Sequence, residues 1–375
     1  MTNRERVKAI LHYESYDRMP VVAFGYWTET LEKWAAEGYI SQSHSENYAS
    51  DGDNGAGDRA IMAQLGFDFN WNSTLGGNFG LYPALEEKVL EVEPDGCKII
   101  SDANGHIVRV KPGIISIPSE IGTLLTGREA WEEIFLPRMQ ECEERINKAA
   151  VEKALAEDAD RDTPLALHAG SLYGHIRDVM GIEELSFLIA DDPKLHEEFV
   201  ERNANLCYYV TEKLLQSSID FDYAHFWEDI CFKTGPLVSP VLFRRVVAPF
   251  YKKITSLVNA HGIDIVSLDC DGCIDKLVPI WLENGVNTMF PIEVGTWNAS
   301  IAPWRAQYGR ELRGVGGMDK RVFAQDKKAV EKEIERLKPL IDLGGYIPCP
   351  DHRIAPDAKY PLVAYYCELF RRTFG

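Results

Sequence analysis

Eight times along the chain, a short apolar, β-branched run ends in polar or acidic residues, and helical sequence separates most of these runs. They lie at 18–24, 66–72, 164–168, 221–226, 262–272, 286–290, 312–316 and 345–348. A helix is expected at 3–11, and others at 195–215, 240–260 and 326–340, with a long charged helix at about 129–158. Parallel strands need long crossovers, so this alternation predicts an α/β fold built on a parallel sheet. Eight such units predict a single (β/α)8 TIM barrel spanning residues 1–375. One stretch departs from the pattern. Alternating segments at 88–92, 98–101 and 106–110 flank Asn104-Gly105, the signature of a β-hairpin. It is expected as an insertion of about 78–127, after the second strand and over the mouth.

In such a barrel the C-terminal strand ends converge on one mouth, where the chemistry is done. Taken in order, those ends supply Tyr26 and Trp27, then Asn70, Trp71 and Asn72, then His168, then His225, Glu228 and Asp229. Asp269 and Asp271, Glu293, Asp319 and Asp351 with His352 complete the ring. The run at 262–272 is the most pointed. Alternate strand residues share a face, which places Ser267, Asp269 and Asp271 together, opposite Val266, Leu268 and Cys270. Asp-x-Asp-Gly is equally a good turn whose aspartates cap a helix, and both readings stand at this point. Acids dominate the expected mouth and bases are nearly absent from it. Crowded carboxylates raise one another's pKa, so this mouth calls for a metal ion, a cationic ligand or retained protons.

Other classes fall away. A formal net charge of −18 disfavours nucleic acid and anionic membrane surfaces as partners. No apolar run approaches the roughly 20 residues of a membrane span, and the first residues lack the apolar core of a signal peptide. Eight scattered cysteines suit reduced thiols and a cytoplasmic location. Cys270-Asp-Gly-Cys273 has no second CxxC to complete a zinc knuckle. Neither a glycine-rich nucleotide loop nor a Gly-x-Ser-x-Gly elbow is present.

Several short motifs, in order, resemble the uroporphyrinogen decarboxylase superfamily. They are Arg4-Glu-Arg-Val-Lys-Ala-Ile, Asp17-Arg-Met-Pro, Trp227-Glu-Asp-Ile, Ser239-Pro and Pro249-Phe-Tyr-Lys-Lys-Ile. Asp269-Cys-Asp-Gly, Gly316-Gly-Met-Asp and Asp351-His-Arg-Ile-Ala-Pro follow. The resemblance covers nearly the whole chain and implies the barrel fold. Decarboxylases of the superfamily carry an arginine-rich segment after the first strand and an essential aspartate at the end of the second. Here those places read Phe24-Gly-Tyr-Trp-Thr-Glu and Asn70-Trp-Asn. An acidic mouth would also repel a polycarboxylate.

The resemblance then implies the other branch, cobamide-dependent methyltransferases. These move a methyl group between a small molecule (coenzyme M, tetrahydrofolate, a methylamine or a methoxylated aromatic) and a separate corrinoid protein. Known members hold zinc through a His-x-Cys pair and a late cysteine. The corresponding positions are Asp269, Asp271 and His352, a harder ligand set for zinc. On this reading Glu228, Asp229, Asp271 and His352 are catalytic, and the reaction is an O-demethylation. Tyr26, Trp27, Asn70, Trp71, Asn72, His168 and His225 contact substrate, and a homodimer is expected. A decarboxylase-like lyase acting on a small acid is the alternative, and a non-catalytic ligand-binding barrel is a second one.

Overall fold

The computed structural model describes residues 1–111 and 119–375. Fifteen strands are present among these residues. β1 (Val22–Ala23), β2 (Phe69–Asn70) and β3 (Thr74–Leu75) precede an antiparallel set. That set is β4 (Lys88–Val92), β5 (Lys98–Ser101), β6 (His106–Val110) and β7 (Ser119–Thr123). β8 (Ala166–His168), β9 (Tyr223–Trp227), β10 (Cys231–Phe232) and β11 (Gly235–Pro236) come next. β12 (Val266–Asp269), β13 (Thr288–Ile292), β14 (Arg313–Met318) and β15 (Tyr346–Pro350) complete the chain.

Seven strands form one parallel sheet in the order β15-β14-β13-β12-β9-β8-β3. β1 and β2 form a separate parallel pair, with Val22 opposite Phe69 and Ala23 opposite Asn70. The chain therefore leaves the small pair at β2 and re-enters the large sheet four residues later at β3. At the other end, Tyr26 and Ile354 form a parallel bridge, with Trp27 N donating to the Ile354 carbonyl at 3.1 Å. Each of the eight strand-like runs contributes a strand. β13 and β15 are buried along their whole length, as parallel strands covered by helices should be. Aromatic rings pack between the two sheets: Trp71 stacks on Tyr223 at 4.5 Å and Phe24 meets Phe290 at 4.5 Å.

Three expectations need correction. The hairpin at 88–110 is part of a four-stranded antiparallel sheet, β4-β5-β6-β7, because Ser119–Thr123 pairs with β6. Asn104-Gly105 does form the expected turn, with the Asp102 carboxylate accepting from Asn104 N and His106 N. Residues 112–118, within the expected insertion, lie outside the described residues. The helix expected over 129–158 is broken into a short turn at Arg128–Ala130, a π-helix at Trp131–Phe135 and two 3-10 turns. Regular α-helix resumes only at Lys148–Asp158, capped by Asn147. Pro137 lacks the N–H that a continuous helix needs. The buried Arg145 guanidinium also collects the carbonyls of Arg138 and Gln140, which a helix would have used internally, together with those of Asn78 and Gly80. Likewise the helix expected at 240–260 divides at Val247 into Pro240–Val246 and Ala248–Ala260. Among the described residues, no helix is long and apolar enough to cross a membrane.

Asp58 shows how closely the β1–β2 side is packed. Its side chain is fully buried and accepts from Asn54 N at 2.7 Å and Asn70 Nδ2 at 3.0 Å, while Oδ1 has no partner. Burial pushes its pKa up to about 6. An acid with a raised folded pKa loses stability as pH climbs from the unfolded value to the folded one. Urea unfolding of wild type against Asp58→Asn, across pH 4 to 7, should therefore show the difference shifting by about 3 kcal/mol in favour of the variant. A pH-independent difference would mean that the carboxylate is solvated.

Candidate active site

Past the C-terminal ends of β8, β9 and β12 lies a cleft of about 380 Å³. Its walls carry Asp229, Asp269 and Asp271, with His168 and His225, Asn72 and Thr74, and the rings of Phe24 and Trp227. The parallel register explains the meeting: Asp269 stands beside Trp227 on the neighbouring strand and Ser267 beside His225. Asp229 takes a left-handed backbone, φ +46°, uncommon for a residue with a side chain. Its Oδ2 accepts from Arg177 Nη2 at 3.2 Å. His352 Nε2 meets Asp271 Oδ2 at 3.2 Å and its ring stacks on Trp27. Asp271 Oδ1 is buried with no partner.

The electrostatics follow from this crowding. Burial, then Asp271, then Asp229, push the Asp269 carboxyl well above the usual carboxylate range. Burial also raises Asp229, against the pull of Arg177, and raises Glu293. Burial lowers the His168 imidazole, and takes His225 down to about 3, so both rings are neutral at ordinary pH. A second cleft of about 380 Å³ carries Trp27, Glu293, Lys320, Arg321 and Asp351. His352 lines both clefts.

Bases are less scarce here than the sequence suggested. Arg353 lines the first cleft and donates to Asp53 at 3.0 and 2.5 Å and to the Tyr48 hydroxyl at 2.9 Å. Gly25 makes room for this pair. With φ +90°, a Cβ there would lie 2.5 Å from Asp53 Oδ1 and 2.6 Å from Arg353 Nη1. Sequence reasoning missed Asp53, Phe24 and Arg353 as site residues. Nothing local marks the pair, whose partners are 300 positions apart.

The chain matches no protein-family model and no curated protein. Among solved structures, a methyltransferase from Methanosarcina mazei aligns with 100% of this chain and 99% of its own, at TM-score 0.60 and 16% identity. At that identity the likeness is one of fold: the chain shares the fold of that methyltransferase. A B12-independent methionine synthase from Shewanella sp. W3-18-1 aligns at TM-score 0.49 and 10% identity, over 95% of this chain and 99% of its own. A putative vitamin-B12 independent methionine synthase from Listeria monocytogenes aligns at 0.42 and 11%, over 96% and 100%.

Of the residues expected at the mouth, Asn72, His168, His225, Asp229, Asp269, Asp271 and His352 do line the first cleft, and Trp27, Glu293 and Asp351 line the second. Five others line neither, among them Asp319, which is ion-paired with Arg321. Tyr26 is 2% exposed and packs edge-on against Trp34 and Tyr48. Trp71 is fully buried on Tyr223. Asn70 is fully buried, bonded to Asp58 and to Asn72 N. Glu228 is fully buried and accepts from Leu172 N, Tyr173 N, Gly174 N, Ser171 Oγ and the Tyr251 hydroxyl. Four of those donors lie at the start of helix Gly174–Met180 and the fifth, Tyr251, on helix Ala248–Ala260, which leaves the carboxylate no capacity for substrate.

The expected zinc set does not converge. Among the described residues, one trio brings three ligand atoms within 4.8 Å of one another, and it is Glu93, Asp95 and Cys97. Arg109 donates to both of its carboxylates. At the cleft, the Asp271 carboxylate and the His352 imidazole are engaged with each other.

Removing the Glu228 carboxylate should therefore act on stability. Glu228→Ala strands at least three buried N–H donors and should cost about 3 kcal/mol or more in urea unfolding. Asp229→Asn, at a left-handed position that asparagine tolerates, should stay within about 1 kcal/mol of wild type. Equal losses would contradict this division of labour.

Proposed function

We propose that the chain is a methyltransferase of the uroporphyrinogen decarboxylase superfamily, acting on a small methyl ether. On this reading residues 1–375 form one (β/α)8 barrel with an insertion at about 78–127. The Tyr26–Ile354 bridge supports closure, since it links the segments that follow the first and last strands. The methyl group passes to or from a corrinoid held by a separate protein. A cleft of about 380 Å³ suits a small ligand. A corrinoid is larger than either cleft, so it would reach the mouth only as a partner's cargo. When presented there, it supplies the nucleophile that accepts the methyl carbon.

The chain's own residues then handle the oxygen. An ether oxygen leaves readily only if it is protonated as the carbon–oxygen bond breaks and the bonding pair stays on oxygen. The observation that carries the reading is the meeting of four acids in one cleft, with Asp53 paired to Arg353 and the Asp269 carboxyl held well above the usual carboxylate range by burial. Asp269 is the donor to the departing oxygen. Asp271 and His352, hydrogen-bonded together, link it to the second cleft and return the proton from solvent. Phe24 and Trp227 face the apolar body of the substrate. No step is assigned to zinc, because its expected ligands do not gather.

Purified protein, a corrinoid protein in its cob(I)alamin state and a panel of methyl ethers give the direct assay, read as the change in cobalt absorbance. Asp269→Asn should lower turnover by about 10²- to 10⁴-fold. The acid must be protonated, so wild-type kcat/KM should be level at low pH and fall as pH rises through the raised pKa. That limb should be missing in Asp269→Asn. Carbon dioxide released from a small acid, with no methyl transfer, would assign the lyase instead. Binding without any turnover would assign the ligand-binding barrel.

A further inference from the structure

His168 is held in the cleft by one hydrogen bond and by packing on its ring and Cβ. Its Nδ1 lies 3.2 Å from the backbone carbonyl of His225. A carbonyl oxygen only accepts, so Nδ1 carries the proton and Nε2 is left with a lone pair. Among the described residues Nε2 has no partner, and the side chain lines the cleft. Two packing contacts favour this orientation of the ring. Phe79 packs edge-on against it at 5.2 Å and 80°, and the backbone at Gly76 closes on its Cβ, where an added Cβ would lie at 3.0 Å. A fixed ring with a fixed tautomer is a preorganised hydrogen-bond acceptor.

The same cleft holds a second unfilled acceptor. Asp271 Oδ1 is buried and unpartnered, and nearby His225, 4% exposed, has an unpartnered Nδ1. A ligand presenting only an ether oxygen would desolvate His168 Nε2 without pairing it, at a cost in affinity. We propose that His168 Nε2 is a specificity-determining acceptor, and that the ligand carries a hydrogen-bond donor, a hydroxyl group, in addition to its methylated oxygen. This rests on the methyl-ether reading above for the second oxygen, while the acceptor itself stands on geometry alone. Hydroxylated methyl ethers are then the substrate class, and fully methylated analogues are rejected.

Calorimetric binding without any corrinoid protein tests this independently of turnover. The probes are the three methoxyphenols and the corresponding dimethoxybenzenes. Wild type should bind at least one methoxyphenol about ten- to a hundredfold more tightly than its dimethoxy counterpart. His168→Leu should erase that preference, and His168→Gln, which keeps an acceptor at the end of a folded-size side chain, should restore part of it. Equal affinities in wild type, no binding of any methoxyphenol, or a preference surviving in His168→Leu would each overturn the proposal. A preference of the expected kind in a protein that transfers no methyl group would uphold this acceptor and sink the catalytic reading.

Discussion

A buried carboxylate that never meets the substrate sets the geometry of the cleft. Glu228 gathers three successive backbone N–H groups at Leu172, Tyr173 and Gly174, with the hydroxyls of Ser171 and Tyr251. The loop after β8 is thereby tied to the end of β9, and the Glu228 N–H ties β9 in turn to the Asp269 carbonyl at 2.8 Å. Turning Glu228 inward leaves its neighbours Trp227 and Asp229 on the cleft wall. The packing is close enough that position 174 must be glycine, since a Cβ there would lie 1.9 Å from the Glu228 carbonyl oxygen. Burying a charge without partners is prohibitive, and five donors make this one tolerable. A strong local anchor thus holds weaker, solvent-facing acids in place.

Those acids then divide the work by surroundings. Asp53 is neutralised by Arg353, and Asp229 is shared with Arg177. Asp271 engages His352, while Asp269, among the described residues, has no cationic partner within ion-pair distance and lies buried in the field of Asp271 and Asp229. One fold can carry several carboxylates in a small volume only if most are paired and one keeps its proton. The arrangement also explains why a substrate with many carboxylates suits this cleft poorly, although the arginines found here are absent from the sequence expectation.

The two faces of the cleft have different origins. Acids arrive from strand ends in the parallel sheet, whose register is strict, so Asp269 and His225 fall where pairing with β9 puts them. The opposite wall depends on irregular chain: the segment between β2 and β3, and the Gly76–Phe79 stretch that braces His168. Buried Arg145 holds that stretch by its carbonyls at Asn78 and Gly80. The break in the helix expected at 129–158 and the bracing of His168 are therefore one structural decision.

Much of the fold was legible in the sequence because strand and helix periods are local, and each of the eight strand-like runs formed a strand. The strand-end rule also located seven cleft residues, among them Asp269, Asp271, His168 and His352, since a parallel sheet brings its C-terminal ends together regardless of side-chain detail. What it could not supply was the direction of each side chain once packed. Glu228 and Asp229 are adjacent and chemically alike, yet one is sealed beneath a helix start and the other faces the cleft. Tyr26 and Trp71 were absorbed by the core, as large aromatic side chains are whenever space allows. Arg353 and Asp53 met across 300 residues, and the trio expected to hold zinc did not close. The pattern of the sequence determined which residues could reach the mouth. Only the tertiary structure decided which of them stayed there, because burial, partner supply and steric room are properties of the assembled neighbours and not of the chain at any one position.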